Sequence, residues 1–548
     1  MDSARSFFFR RVFWSIRVFD ISVVAGWSVL FVAIWVHMLV YDGTEYWTGS
    51  SFVWADWSVH IIYIFNFAYR SLILASHPLY LGEPFRYHFV ADLLSALLLR
   101  SGATLIQATV LPSILASFAL VVVSYILYLS VWKSRLVAAL AMALFFFNGG
   151  LGFIWFFVDF FTGKLAQYHP PPLYLFTEIQ SAHIAWLNFI VAEFIPQRGF
   201  LLGAPIALFL LFSLWRIFES PQMARPWWKL FGLGALCGIL PLVHIHSFLV
   251  VVLVLCFIMA VEFFRYRRLG VIWLFWILPM AALALPQLWY LSYGGGQGFI
   301  RFNPGWIADK PGESLVWFWF NNIGVMTILI PVAFLFATPS VRVFSIPFML
   351  LFVACNILTF QPNMWDNRKF FLYWYFFSAG MVAHFLLTTV WSKRLLSQIL
   401  VAVLILCAIF SGFVDVMNLL QFEKQKYKLF STEDIDFTKQ IRTRTEKNAI
   451  FLTGPTTSWV AMVLGRQVVM GLDFWLTTYG YDIQNRKDDI MRIYAGDPLT
   501  AQLLNKYSVD FVMIGDRERQ GMVVNDAYFV QHFPVFAKQR DTVIYDVR

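Results

Sequence analysis

The chain has 548 residues, of which 59% are hydrophobic, 19% aromatic and only 13% charged, with a formal net charge of +9. A mean hydropathy of +0.67 excludes an ordinary soluble domain and implies a polytopic membrane protein. Four cysteines, Cys237, Cys256, Cys355 and Cys407, all lie in apolar runs, so no disulfide framework or CxxC metal site is available.

In chain order, the stretch 5–18, RSFFFRRVFWSIRV, alternates Arg with aromatics and lacks a signal-peptidase site. It predicts a cytoplasmic interfacial helix leading into an uncleaved first span. Apolar runs long enough to cross about 30 Å of hydrocarbon predict about eleven spans. They are 19–41, 104–131, 136–158, 200–217, 229–245, 247–264, 271–290, 316–338, 342–360, 370–390 and 395–418. The segments 89–100 and 182–195 are apolar but short, as embedded or interfacial helices would be. Trp47, Trp54, Trp57, Trp186, Trp306 and Trp365 fall where spans meet polar loops, the pattern of an aromatic belt.

Basic residues beside short loops set the orientation. With the N-terminus in the cytoplasm, Arg17, Lys133, Arg135, Arg216, Lys229, Arg265, Arg342 and Lys393 all fall inside. Asp42, Glu45, Asp56, Glu83, Asp92, Glu178, Glu193, Glu313 and Asp366 then fall outside, and so does the C-terminus. After the charged run EKQKYKLFSTEDIDFTKQIRTRTEKN no membrane-length segment follows, so residues 420–548 are expected to form a small exterior α/β domain beyond the membrane module 1–419. Its expected strands are 449–452, 467–470, 509–514 and 542–547, alternating with helices near 432–446, 456–464, 484–494 and 499–507. No Walker or dinucleotide glycine motif is present, and no nucleic-acid partner is expected.

The chemistry is expected in the exterior loops, above all in the first, 42–103. Within WADWSVHIIYIFNFAYR, apolar residues recur at helical spacing from Trp57 to Ala68, predicting an amphipathic helix along the membrane with Asp56 at its N-terminal end. Two roles fit Asp56: a helix cap, and a general base over an acceptor hydroxyl. His60, and His88 with Asp92 at i and i+4, fit either local ion pairing or metal ligation. Arg198, Arg301, Arg368 and Lys369 stand at exterior ends of spans, where cations can hold phosphate oxygens. Lys369 also suits snorkelling to headgroups, and Arg368 pairing with Asp366. His244 and His246 fall at an expected exterior turn, as phosphate or sugar contacts or as caps. Glu178 and His183 are further candidates for a sugar pocket. The glycines 294, 295, 296 and 298 lack the Lys-Ser or Lys-Thr of a P-loop and read as a gating loop.

The segments ADWSVH (55–60), GEPFRYHFVAD (82–92), FIPQRGFLLG (194–203), LPLVHIHSF (240–248) and QPNMWDNRKFFLYWY (361–375), with the span count and exterior C-terminal domain, resemble the GT-C class of membrane glycosyltransferases. That class includes lipid-dependent protein O-mannosyltransferases and aminoarabinose transferases. The chain departs from many relatives in having Asp56 flanked by Ala55 and Trp57 rather than by a second acid. The resemblance implies a multi-pass protein, with the bacterial plasma membrane as its expected location, that moves a sugar from a polyprenyl-phosphate donor to a glycan, lipid or protein hydroxyl with inversion. Asp56 would be the base; no cofactor would be required, although a divalent metal is compatible. A transporter or flippase of lipid-linked substrates is the competing reading, but no internal repeat is found and the acids gather on one face. A non-catalytic assembly factor would leave the acidic first loop without a role.

Overall fold

The computed structural model describes residues 17–167, 174–220, 226–292, 300–308, 312–456 and 458–548. Most of the 5–18 stretch, the 294–298 glycines and Asp309 lie outside them. Among the described residues, seven helices are long and apolar enough to cross a membrane, and one bent pair brings the number to eight. The helices that frame the site are α1 (Val18–Trp35), α2 (Ser51–Tyr69), α3 (Val90–Arg100), α4 (Leu105–Trp132), α5 (Arg198–Glu219), α6 (Leu240–Tyr266), α7 (Arg368–Phe385) and α8 (Leu395–Asn418).

Local chemistry sets several of these boundaries. Thr104 caps α4 by accepting from the Gln107 amide while Gln107 reaches back to the Thr104 amide. Lys133, at φ 54°, ends that helix, and Ser134 caps the next. At the opening of α1, the buried Asp20 accepts from the Arg135 guanidinium at 2.8 Å and from the Tyr125 hydroxyl, joining α1 to α4 and the helix after it.

Differences from the sequence expectation occur where backbone packing overrides apolar length. The run 136–158 is two helices, Arg135–Phe146 and Gly152–Phe161. A Cβ on Gly150 would lie 2.3 Å from the Asn322 carbonyl oxygen, and one on Gly149 2.8 Å from the Gly412 amide, so the chain turns where those backbones meet. The run 316–338 is a pair of helices, Leu315–Ile323 and Met326–Phe336, bent by 95° around Gly324 at φ 58°. Segment 342–360 corresponds to a helix over Pro339–Cys355, which starts earlier, ends earlier and is shorter than the long spans. Runs 229–245 and 247–264 are Trp227–Gly238 and α6, with non-helical backbone at His244.

A second correction concerns α2. It does not lie along the membrane with one wet face: Trp57 to Ala68 are all buried, covered by α3 and by the helix α9 (Trp459–Leu464) of the C-terminal domain. Asp56 is its sixth residue and Ser50 its N-cap position, so the capping role for Asp56 does not hold.

Among the described residues, ten strands form three sheets. β1 (Val40–Tyr41) and β2 (Glu45–Thr48) make a hairpin in the first loop, and β2 also pairs antiparallel with β5 (Tyr427–Ser431). The first loop and the start of the C-terminal domain are therefore one sheet. β3 (Arg301–Phe302) pairs with β4 (Leu358–Thr359). The C-terminal domain is built on a five-stranded sheet of β6 (Ile450–Leu452), β7 (Gln467–Val468), β8 (Phe511–Ile514), β9 (Val535–Gln539) and β10 (Thr542–Asp546), in the order β7-β6-β8-β10-β9. The sequence anticipated four of these strands. It missed β9, an edge strand with weak alternation, and β5, which lies in the charged run.

The first loop also docks on the edge of this sheet through Tyr80 opposite Met470 and through the Leu81 amide donating to the Val469 carbonyl. Shared sheets require that loop and domain occupy one side of the membrane. In a cysteine-free background, Thr44→Cys and Gln520→Cys, both at exposed positions, should react with an impermeant maleimide from the same side, and Trp227→Cys from the opposite side. Opposite-side labelling of positions 44 and 520 would contradict the fold.

Candidate active site

A cavity of about 540 Å³ opens where the first loop, the beginnings of α5 and α7 and the C-terminal domain meet. Of the residues singled out in the sequence, it brings together Asp56, His88, His246 and Lys369, with Asp366 beside them. Its remaining walls include Gln197, Gln361 and the C-terminal segment around Tyr479 and Tyr481.

Asp56 is partly open to the cavity, and its Oδ2 accepts from Gln197 Nε2 at 2.5 Å. Burial pushes its carboxyl up to about 6, against the opposing pull of His60, Lys369 and the Gln197 hydrogen bond. Such a group is ionised at neutral pH yet basic enough to take a proton. Lys369 is buried at the first turn of α7 and holds Asp366 Oδ1 at 3.0 Å.

The neighbouring cations have different partners from those anticipated. Arg368 donates to Glu193 Oε1 at 2.7 Å, rather than to Asp366, and lies over the Trp365 ring. Arg198 is buried, donating to Asp92 Oδ1 at 2.8 Å and to Ser95, and its guanidinium sits 5.4 Å from the centroid of Trp57. Arg301 is exposed and donates to the Pro362 carbonyl at 2.6 Å. None of these three arginines lines the cavity.

The histidines are sorted by the same geometry. His60 Nδ1 meets Asp92 Oδ2 at 2.9 Å, so the contact runs between α2 and α3. His88 precedes α3 and is stacked 4.2 Å from Tyr87, so the expected helical i, i+4 pairing of His88 with Asp92 is replaced by His60 with Asp92. Burial and Lys369 hold the His88 imidazole well below its ordinary range. His244, at the non-helical position of α6, bonds Ser247 at 2.7 Å, and His246 bonds Gln361 at the cavity wall. Glu178 and His183 lie elsewhere: His183 pairs with Glu313, and Glu178 is raised by burial while Arg368 pulls it down. Among the described residues, no group of three or more His, Cys, Asp or Glu side chains is placed to hold a metal.

Sequence reasoning missed Gln197, His77, Arg86 and the wall supplied by 474–482. PQRGF carried a usable signal for Gln197, since the residue before a helix beginning at Arg198 projects from the same end as that cation. The aromatic cluster FWLTTYGYD had no such signal, because only tertiary docking brings it over the cavity. His77 is a buried neutral ring, pushed down to about 3 by burial, with Nδ1 accepting from the Leu79 amide at 3.1 Å.

The close approach of these groups depends on two glycines of α5. A Cβ at Gly199 would lie 2.6 Å from His88 Cδ2 and 3.0 Å from the Val243 carbonyl oxygen; at Gly203 it would lie 2.6 Å from His244 Cβ. Small residues four apart let two other segments pack against one helix face.

Against known proteins, no family model and no curated sequence matches the chain. Solved structures do. The Archaeoglobus fulgidus oligosaccharyltransferase tethered with an acceptor peptide superposes over 98% of this chain and 74% of that one, with 11% identity and a TM-score of 0.50. The archaeal oligosaccharyltransferase AglB from the same organism, in complex with an inhibitory peptide and a dolichol-phosphate, gives 98% and 75% coverage, 11% identity and a TM-score of 0.48. The likeness to the peptide-tethered structure is one of fold, which in this chain is a helical module, a first loop bearing interior helices, and a small C-terminal α/β domain.

Overpacking at the glycine contact tests the assembly. Gly199→Ala should destabilise the protein by about 1–3 kcal/mol, as inserted methyl groups in tight sites do. A lowered Tm in detergent is the expected reading, and an unchanged Tm would show that His88 and α6 can yield.

Proposed function

We propose that this protein is a membrane glycosyltransferase that moves a sugar from a polyprenyl-phosphate donor to an acceptor hydroxyl at the outer end of the helical bundle. The observation that carries the reading is the placement of Asp56 and Lys369 on one cavity beneath the C-terminal domain. In such a reaction one group must take a proton and another must receive negative charge.

In this reading the acceptor oxygen attacks the anomeric carbon while Asp56 takes its proton, and the bond from that carbon to the phosphate oxygen breaks. Attack opposite the leaving group inverts the anomeric centre. The departing lipid phosphate gains charge, which Lys369 and the N-terminal end of α7 oppose. Gln197 keeps one carboxylate oxygen of Asp56 in place, leaving the other for the acceptor. A monophosphate leaving group can be met by these side chains without a resident metal, so transfer is proposed to need no cofactor. The donor prenyl chain would lie among the apolar helices. The acceptor, a glycan, lipid or protein, would enter past the C-terminal wall, where Phe474 is 66% exposed.

The stability of Asp56 runs against its retention. Its folded carboxyl binds a proton more tightly than the unfolded one, so stability falls as pH rises from about 4 and the loss is complete above about 6. At 1.36 kcal/mol per unit this amounts to about 3 kcal/mol, as an order of magnitude. Asp56→Asn should therefore leave the Tm unchanged or raised while lowering transfer about 100-fold to 10,000-fold. Parent activity should rise with pH through about 6. Transfer by the Asn variant within threefold of the parent would remove Asp56 from the role of base.

A further inference from the structure

Asp56 belongs to a ring of three polar contacts, closed through the backbone, that joins three chain segments. From α2, Asp56 accepts from Gln197 at 2.5 Å; the next residue, Arg198, opens α5 and donates to Asp92 on α3 at 2.8 Å; and Asp92 meets His60 at 2.9 Å. His60 returns the ring to α2, one helical turn from Asp56. Asp92 thus has one oxygen on Arg198 and the other on His60. His60 is 1% exposed, and its Nε2 has no hydrogen-bond partner among the described residues.

We propose that His60 is a positioning residue for Asp56, holding that carboxylate in its ionised form through this ring without itself touching substrate. The inference rests on the reading of Asp56 as the base and explains how that base stays usable in a desolvated place. A carboxylate is acceptor-only, so Asp92 fixes the Nδ1–H of His60 and leaves the imidazole oriented on the α2 face that carries Asp56. The pull of His60 on Asp56 opposes protonation of that carboxyl, and burial favours it. His60 does not line the cavity, which separates its role from that of Lys369.

The other groups facing this ring come from every element packed on it. Tyr87 and His88 approach from the segment before α3, Glu193 from the turn before α5, Lys369 from α7 and Tyr479 from the C-terminal domain. Glu193 is matched by Arg368 and Lys369 by Asp366. His88 is held toward neutrality by burial. His60 is thus the imidazole of the ring, and its loss leaves Lys369 and the Gln197 amide to oppose protonation of Asp56.

Dicyclohexylcarbodiimide, which modifies protonated carboxyl groups in apolar surroundings, tests this without knowledge of the sugar or the acceptor. Labelling of Asp56 is followed by peptide mass spectrometry from pH 4.5 to 8.5 on protein that elutes like the parent in detergent. The parent should lose labelling with a midpoint near 6. His60→Gln should move that midpoint up by about one unit or more, the scale of a nearby opposite charge. His60→Asn substitutes where the Gln variant does not fold. His60→Lys restores a cation and should return the midpoint toward the parent value. A midpoint in the neutral variants equal to the parent's would overturn the proposal, and so would one in His60→Lys as high as in His60→Gln. If Asp56→Asn transfers sugar normally while the His60 shift is seen, the reading of Asp56 as base fails and the electrostatic coupling stands.

Discussion

The site depends on a rule that applies to any buried charge: it must be matched, or the segment carrying it will not stay. Asp92 and Arg198 are each almost fully buried, and removing one partner of such a pair commonly costs about 3–5 kcal/mol. Their contact therefore fixes the beginning of α5 against α3, and His60 ties α2 to the same point. α2 fails the hydropathy expected of a span, and it could not be held in this position by apolar burial in lipid alone. It is held by charge on one side and by the C-terminal domain on the other. That second contact is close enough that a Cβ on Gly465, at φ 66°, would lie 2.8 Å from the Phe65 carbonyl oxygen.

The same arrangement makes the C-terminal domain part of the site. β5 extends the hairpin of the first loop, Tyr80 and Leu81 lie on the edge beside β7, and Tyr80 donates to the Asp482 carbonyl at 2.6 Å. Arg486, on the helix that follows, stacks 3.8 Å from the Tyr80 ring and donates to the Leu81 carbonyl. These contacts place Tyr479 and Tyr481 over the cavity. A domain that was merely tethered would leave the carboxylate of Asp56 in water, and its proton affinity would return toward the ordinary carboxylate range.

Composition and apolar run length were sufficient to reveal the membrane class, most spans and the α/β character of the last 129 residues. They failed where a run was broken for packing reasons. Gly149, Gly150 and Gly324 sit in apolar surroundings that read as continuous span, and only the neighbouring backbones explain the breaks. At the site, Asp56 and Lys369 were legible because charge at the mouth of a bundle is costly and therefore informative. Which cation faced which acid was not legible. Arg198, Arg368 and Lys369 are chemically similar in sequence, and their partners Asp92, Glu193 and Asp366 are assigned by folding. The helical pattern from Trp57 to Ala68 was real, but a helix covered on every side and one resting on a membrane give the same periodicity on their most apolar face.

The charge inventory of the cavity bears on the kind of donor the proposed reaction uses. Its ionisable lining includes the acids Asp56, Glu83, Asp366 and Asp482 against the cations Arg86 and Lys369. His77 and His88 add little positive charge, since burial holds both below their ordinary range. A donor joined through one phosphodiester brings a single negative charge, which Lys369 can meet once the phosphate competes with Asp366 for its ammonium. A diphosphate brings more charge to a lining that already has an acidic excess, and would require cations beyond these side chains. Within the glycosyl-transfer reading, the lining therefore favours a monophosphate-linked sugar, and the pairing of Lys369 with Asp366 keeps that cation in place until the donor arrives.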